Sequence, residues 1–332
     1  MQDLFADAMQ QLLSLHCTPA QIRHIEGSGD ASALWAALEE SGFLDALVGE
    51  ADDGAGLSLT EIFSIAGQAG RHVIPAPLLQ TMVVRGAYAK DCPAGPVTIA
   101  NSWRRGADGA IACVNVPFGR VAQWVLIDRS DQTLLLPVAA ASAVTPAGGH
   151  GSLDADLHWP GLPLSAKYLD RAGDWALRGA CMTAALIAGA LERVFEISVA
   201  YANERRQFGK PIGKLQAIQQ QLSVMAEQVF AARMAAQIGF DSTSSLPAAL
   251  RAAVAKERTS TAVPEVCAIA HAVHGAMGFT EEYDLQLFTR RLHEWRMAYG
   301  SETFWRARLG AAALQTKDAR SLDFVREHIM AH

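Results

Sequence analysis

From Asp174 onward the chain carries a helical period on two faces at once. Leu177, Cys181, Ala184, Ala188, Leu191 and Phe195 fall on one face, and Leu186, Ala190, Val194, Ile197 and Tyr201 on another. A helix apolar on two faces has no side left for solvent and must pack inside a bundle. Leu215, Ile218, Leu222, Met225, Val229 and Met234 repeat the spacing in a second long helix. The stretch Ala249 to Ala276 predicts a third, bent at Pro264, and Tyr283 to Met297 a fourth. The expectation is a C-terminal four-helix bundle. The longest apolar run, Gly179 to Leu191, is too short to span a bilayer.

The upstream chain has a different texture. Residues 1–90 read as helices broken by turns. Leu34, Leu38 and Phe43 follow helical spacing, with Ser32 as the expected N-cap and Ser41-Gly42 as the stop. Ser58 followed by Glu61 predicts a capping box, and the helix it opens ends before Pro75 and Pro77. Between 91 and 168 the pattern becomes short apolar runs separated by Gly, Pro and Asp. These are Val97–Ala100, Ala110–Val114, Trp124–Ile127 and Leu134–Val138, with one more strand suggested by Leu153, Leu157 and Trp159. The expected division is a helical domain at 1–90, a shortened β domain at 91–168 and the bundle at 169–332.

Charge narrows the function. Net charge is −6, and residues 1–90 hold 11 acidic against 4 basic side chains. Neither a nucleic-acid footprint nor a polybasic membrane anchor is present. Cys17, Cys92, Cys113, Cys181 and Cys267 are scattered, with no CxxC pair, which disfavours a disulfide framework or structural zinc and fits a reducing cytoplasm. The first residues, MQDLFADAMQ, lack a signal-peptide pattern.

Two segments between long helices can carry chemistry. Tyr201 to Gly213 (YANERRQFGKPIG) places Arg205, Arg206 and Lys210 beside Phe208 and two glycines. Guanidinium groups fork onto phosphates, and an aromatic ring can stack on a flat base. His274 to Phe279 (HGAMGF) is a glycine turn whose backbone N–H groups could approach an anion. Each segment also reads blandly, the first as a solvated connection and the second as a helix C-cap. His271 and His274 form HxxH with no carboxylate partner, so no metal is expected.

Together these segments bring out a family likeness. Tyr201 to Ile218 (YANERRQFGKPIGKLQAI) resembles the C-terminal signature of the acyl-CoA dehydrogenase family. Val273 to Tyr283 (VHGAMGFTEEY) resembles its second signature, and Leu34 to Leu59 resembles its N-terminal helical domain. The resemblance implies a mostly α chain with a small β domain: a helical N-terminal domain, a reduced middle β-barrel and a four-helix bundle. It implies FAD as cofactor and α,β-desaturation of an acyl-CoA, a glutamate taking the α-proton and the flavin the β-hydride. Arg205 matches a FAD-pyrophosphate ligand, Gln207 and Phe208 match positions at the adenine end, and Gly275 matches the second FAD turn. In the family these contacts reach a neighbouring subunit's FAD, so the resemblance implies a homo- or hetero-oligomer, with an electron-transfer flavoprotein as acceptor if the chain is active.

The departures from the pattern matter as much. Relatives read Gln-Val-His-Gly-Gly where this chain reads Ala272 to Ala276, and the threonine- and glycine-rich flavin loop is missing from 91–168. The family's base precedes the last helix, but Gly300 stands at that place. On the first bundle helix, where other relatives carry it, the matching position is near Gly179 with Arg178 beside it. Glu302 lies two residues late, a rotation of about 200° on a helix. Glu302 is the candidate base if the chain is a self-sufficient homo-oligomer. Without it the chain resembles the short, base-lacking subunits of heteromeric members. A flavin-free acyl-CoA-binding or scaffold protein is the third reading. Small residues at Gly179, Ala180 and Ala184 predict room for a bulky acyl chain, as in fatty acid or steroid side-chain degradation.

Overall fold

The computed structural model describes residues 2–129, 132–170, 173–316 and 320–330. The first helices are α1 (Gln2–His16), α2 (Pro19–Ser28), α3 (Ser32–Ser41), α4 (Leu59–Arg71) and α5 (Leu78–Tyr88). Glu61 N–H donates to Ser58 Oγ while the Ser58 N–H donates to Glu61 Oε2 at 2.8 Å, so α4 opens on the expected capping box. The α3 cap differs from expectation. Ser32 is already helical, and its N–H is taken by Asp30 Oδ1 at 2.9 Å. Asp30 gives the same service from two residues upstream, because a short carboxylate reaches a free N–H as well as a hydroxyl does. Gly42, at φ +75°, ends α3 in the left-handed region.

The middle of the chain forms two four-stranded sheets. β1 (Val97–Ile99), β4 (Trp124–Asp128), β5 (Gln132–Pro137) and β8 (Lys167–Asp170) make one, in the order β1-β4-β5-β8, with β1 parallel to β4. β2 (Trp103–Arg105), β3 (Ile111–Val116), β7 (Ala155–Trp159) and β6 (Ala143–Pro146) make the other, antiparallel throughout. Ile111, Cys113, Val125, Ile127, Leu134, Leu136, Leu157 and Trp159 pack between them. Alternation in β7, with residues 155, 157 and 159 buried and 156 and 158 exposed, puts one face in that core. β2, β6 and β8 carry no apolar run and escaped the sequence reading. Every residue of β6 is exposed.

α6 (Trp175–Glu204) is the axis of the molecule, capped by Asp174, whose Oδ1 accepts from Leu177 N–H at 2.9 Å. It is buried almost without interruption from Arg178 to Leu191. After a two-residue hairpin, β9 (Arg206–Gln207) with β10 (Lys210–Pro211), come α7 (Gln216–Phe240), α8 (Ala249–His274), α9 (Leu285–Met297), α10 (Glu302–Gln315) and α11 (Ser321–His328). α8 packs on α6, α7, α9 and α10. It runs through Pro264 as one continuous helix. α4 lies so close to α6 that a side-chain carbon on Gly70 would overlap the Leu186 carbonyl, and one on Gly189 the Gly67 carbonyl. Among the described residues no helix is long and apolar enough to cross a membrane, and all five cysteines are free.

Candidate functional site

The turn between α9 and α10 is the best-anchored feature of the cleft. Lys256, fully buried on α8, donates from Nζ to the carbonyls of Trp295 at 3.0 Å and Arg296 at 2.8 Å, and to Ser260 Oγ at 2.9 Å. It thereby satisfies carbonyls that the end of α9 leaves without intrahelical partners. Tyr299 and Gly300 then turn the chain at φ +57° and +100°. Tyr299 is tied down by bonds from its own N–H to Asn101 Oδ1 at 2.7 Å and from its hydroxyl to the Ile99 carbonyl at 2.9 Å. Trp305 Nε1 donates to the Tyr299 carbonyl at 3.0 Å. Tyr299 therefore ties the bundle to the β domain, and burial pushes its phenol well above its ordinary value.

Above this turn opens a cleft of ≈ 840 Å³ between the β domain and α9, lined among others by Asn101, Val114, Asp154, Glu294, Met297 and Phe304. Gly300 lines it too, but no side chain fits there. A Cβ would lie 2.6 Å from Phe304 Cδ1 and 3.0 Å from Trp305 Nε1, on a backbone already at positive φ. Glu302 is the first residue of α10 and is turned to α9. Its Oε2 accepts from Arg296 Nε at 3.0 Å and its Oε1 from Arg296 Nη2. That guanidinium holds the Glu302 carboxyl below its ordinary value, despite partial burial. Glu302 is not among the residues lining the cleft.

The expected acyl pocket at Gly179, Ala180 and Ala184 is not there. All three are buried, and the backbone of Gly179 meets the ring of Tyr299. The small residues admit an aromatic side chain of the same protein, which the sequence pattern could not distinguish from room for a ligand.

The two glycine-bearing turns do come together. Arg205 caps α6, and Gly275, at φ +59°, caps α8. Tyr201 stacks on His274 at 4.3 Å, and Ala202, Ile212 and Val273 share a small core, so both turns sit at one end of the bundle. Phe208 is 87% exposed at φ +50°, and Phe279 is 70% exposed. Arg205, Arg206 and Lys210 enter no ion pair among the described residues, and Gln207 is exposed beside them. None of Arg205, Gln207, Phe208 and Gly275 lines the cleft. The HxxH histidines lie in an aromatic stack: His271 bonds Thr289 Oγ1 at 3.1 Å and stacks on Phe279, while His274 Nδ1 pairs with the Ala270 carbonyl at 2.8 Å.

Sequence reasoning missed the charged cluster at the back of the cleft. Glu26 of α2, only 7% exposed, receives Arg290 Nη2 at 2.9 Å and Arg291 Nη2 at 2.8 Å. Arg291 Nη1 also donates to Glu294 at 3.0 Å. Asp154, at the head of β7, accepts from Phe118 N–H at 3.2 Å. Burial and the Glu294 charge push its carboxyl up to about 7, against the pull of Arg291 and the Phe118 N–H. No motif marks this cluster, because its members come from three parts of the chain.

Comparison with known proteins agrees with this architecture. Residues 176–314 match the family described as Acyl-CoA dehydrogenase, C-terminal domain. Acyl-CoA dehydrogenase IpdE2 of Mycolicibacterium smegmatis is 26% identical over 307 residues, covering 88% of this chain and 92% of the relative. The C-terminal part of the chain is thus similar to the acyl-CoA dehydrogenase family. A chain of the ChsE4–ChsE5 complex from Mycobacterium tuberculosis superposes with a TM-score of 0.81 at 21% identity, covering 95% of this chain and 97% of that one. A Tcur3481–Tcur3483 steroid ACAD variant gives 0.81 at 21% identity, covering 96% and 99%. The chain shares its fold with a chain of each of these two assemblies over nearly the whole length of both.

Proposed function

We propose that the protein is a subunit of an FAD-dependent acyl-CoA dehydrogenase that desaturates its thioester together with a second, base-bearing chain of the same family. The observation that carries this is Gly300. The family's base position is a glycine whose backbone angle and aromatic neighbours leave no place for a carboxylate. Glu302, the nearest substitute in sequence, is engaged by Arg296.

The residues at the exposed end of the bundle suit the dinucleotide part of FAD. Arg205, Arg206 and Lys210 offer uncommitted positive charge, Phe208 an exposed ring, and the Gly275 turn an open backbone. They lie apart from this chain's own cleft, so we assign them to a site completed across an interface. FAD supplies the hydride acceptor when bound; Arg205 would hold its pyrophosphate, and Gln207, Phe208 and Gly275 its adenine end. Electrons would pass on to an electron-transfer flavoprotein. The cleft volume and the steroid label on one structural neighbour support a bulky, ring-bearing acyl group. The scattered free thiols support a cytoplasmic place for the complex.

The test is acyl-CoA-dependent reduction of an artificial electron acceptor. The chain is assayed alone with added FAD, and again after co-expression with an adjacent acyl-CoA dehydrogenase-like gene product. Little turnover alone and recovery in the complex are expected. Robust turnover by the isolated chain would overturn the partner reading.

A further inference from the structure

The cleft holds a carboxylate that the reading above does not use. Asp154 lines it, at the junction of the β domain and α9. Its one side-chain hydrogen bond among the described residues is the Phe118 N–H at 3.2 Å. No neighbouring guanidinium donates a hydrogen bond to Asp154 among the described residues, although the Nε of Arg291 is left without a partner. Arg291 spends both terminal amines on Glu26 and Glu294. Arg290 gives Nε to Gln286 Oε1 at 2.6 Å, Nη2 to Glu26 Oε2 at 2.9 Å, and Nη1 to the His150 carbonyl. The carboxylate of Glu294 lines the same cleft. A half-buried acid beside another acid, with no cation donating to it, keeps a high affinity for a proton.

We propose that Asp154 is a proton acceptor of this cleft, taking the α-proton of an acyl thioester bound there. The proposal rests on the acyl-CoA reading, and it gives this chain's own cleft a chemistry separate from any base on a partner. In the step, the α-C–H bond breaks and the proton passes to the Asp154 carboxylate. The electron pair moves toward the thioester carbonyl, giving an enolate. Return of a proton from Asp154 to the same carbon restores the thioester, so nothing is oxidised and no co-reactant is consumed. A carboxyl titrating near neutrality suits this task, since it is available as base yet basic enough to accept. Glu294 raises that basicity while Arg291 lowers it. Arg290 and His293 on α9, His150 on the preceding loop, Glu26 behind them and Tyr299 below complete the charged and titratable surroundings.

The test is exchange of α-protons for deuterium, followed by mass spectrometry, in octanoyl-CoA and in the ring-bearing cholyl-CoA. The full chain is incubated with each in D₂O, and binding is measured in parallel by calorimetry. Asp154→Asn should bind either thioester as the wild type does and lose exchange by about 100-fold. Glu294→Gln should keep exchange but move its pH midpoint downward, because a neighbouring negative charge is gone. Exchange that survives Asp154→Asn, or binding by the wild type without exchange, overturns the proposal and leaves the acyl-CoA reading standing. Failure of the wild type and of its co-expressed complex to bind either thioester overturns that reading itself, and this proposal with it. If Asp154→Asn does not fold, an unmoved midpoint in Glu294→Gln overturns the assignment.

Discussion

Gly179 of α6 and Tyr299 of the α9–α10 turn are in backbone-to-ring contact: a Cβ on Gly179 would lie 2.6 Å from both Cδ1 and Cε1 of the tyrosine. The ring is immobilised by its hydroxyl bond to Ile99, so it cannot give way without loosening the β domain. Gly179→Ala should therefore cost about 1–3 kcal/mol by overpacking, in spite of alanine's better helix propensity. Urea unfolding measures this; a variant as stable as the wild type would show that Tyr299 moves freely.

Restoring the family's glutamate at its usual place should fail. Gly300→Glu puts a side chain against Phe304 at φ +100°, costing about 1–3 kcal/mol of strain. No gain in acceptor reduction is expected from the isolated chain with FAD. A gain would mean that Phe304 swings aside and that one substitution suffices to rebuild the base.

Glu302 should prove structural. In the active complex, Glu302→Gln should leave turnover within about twofold, far from the 100-fold or greater loss expected of a general base. Its effect belongs in stability against pH. The carboxyl titrates below its ordinary 4.5 in the folded chain, so its contribution is present above that value and lost as pH falls through the folded one. Thermal melts in a series from pH 7 downward should show the wild-type advantage over Glu302→Gln at pH 7 and its decline as the medium becomes acid.

Lys256 shows the same sign in a higher pH window. Burial pushes its amine down to about 7, against the pull of Glu302, with three acceptors around it. Between about 7 and its ordinary 10.5 the unfolded chain holds a proton that the folded chain has given up. Wild-type stability should thus fall as pH drops through that window, and Lys256→Met should lack the dependence. At neutral pH the variant should lose about 1–3 kcal/mol, because the ends of α9 and of its turn keep buried carbonyls without donors. Urea midpoints at pH 7 and pH 9.5 check both statements.

Arg205→Ala should weaken FAD retention by the complex by about 1.5–3 kcal/mol, the usual worth of a charge-assisted contact. Flavin absorbance after gel filtration measures it. Unchanged retention with intact assembly would remove Arg205 from the dinucleotide site.

Much of the fold was legible locally. The two-faced period of α6, the Ser58–Glu61 box and the Gly42 stop depend on residues within a turn or two of one another, so helical geometry alone writes them into the sequence. The strands with apolar runs were legible for the same reason. β2, β6 and β8 were not, because an edge strand with exposed residues has no pattern to show. The glycine at 300 is plain in the sequence, as are the basic and glycine turns at Arg205 and Gly275. What only the tertiary structure decided is where the functional groups stand. It filled the space beside Gly179 with Tyr299, gave Glu302 to Arg296, and assembled Asp154, Glu294 and Arg291 around a cleft from β7 and α9, with Glu26 of α2 behind. Glu26 and Arg291 are 265 positions apart. Side-chain pairing at such separations depends on how helices and sheets dock, and docking is set by the summed burial of many residues rather than by any local run.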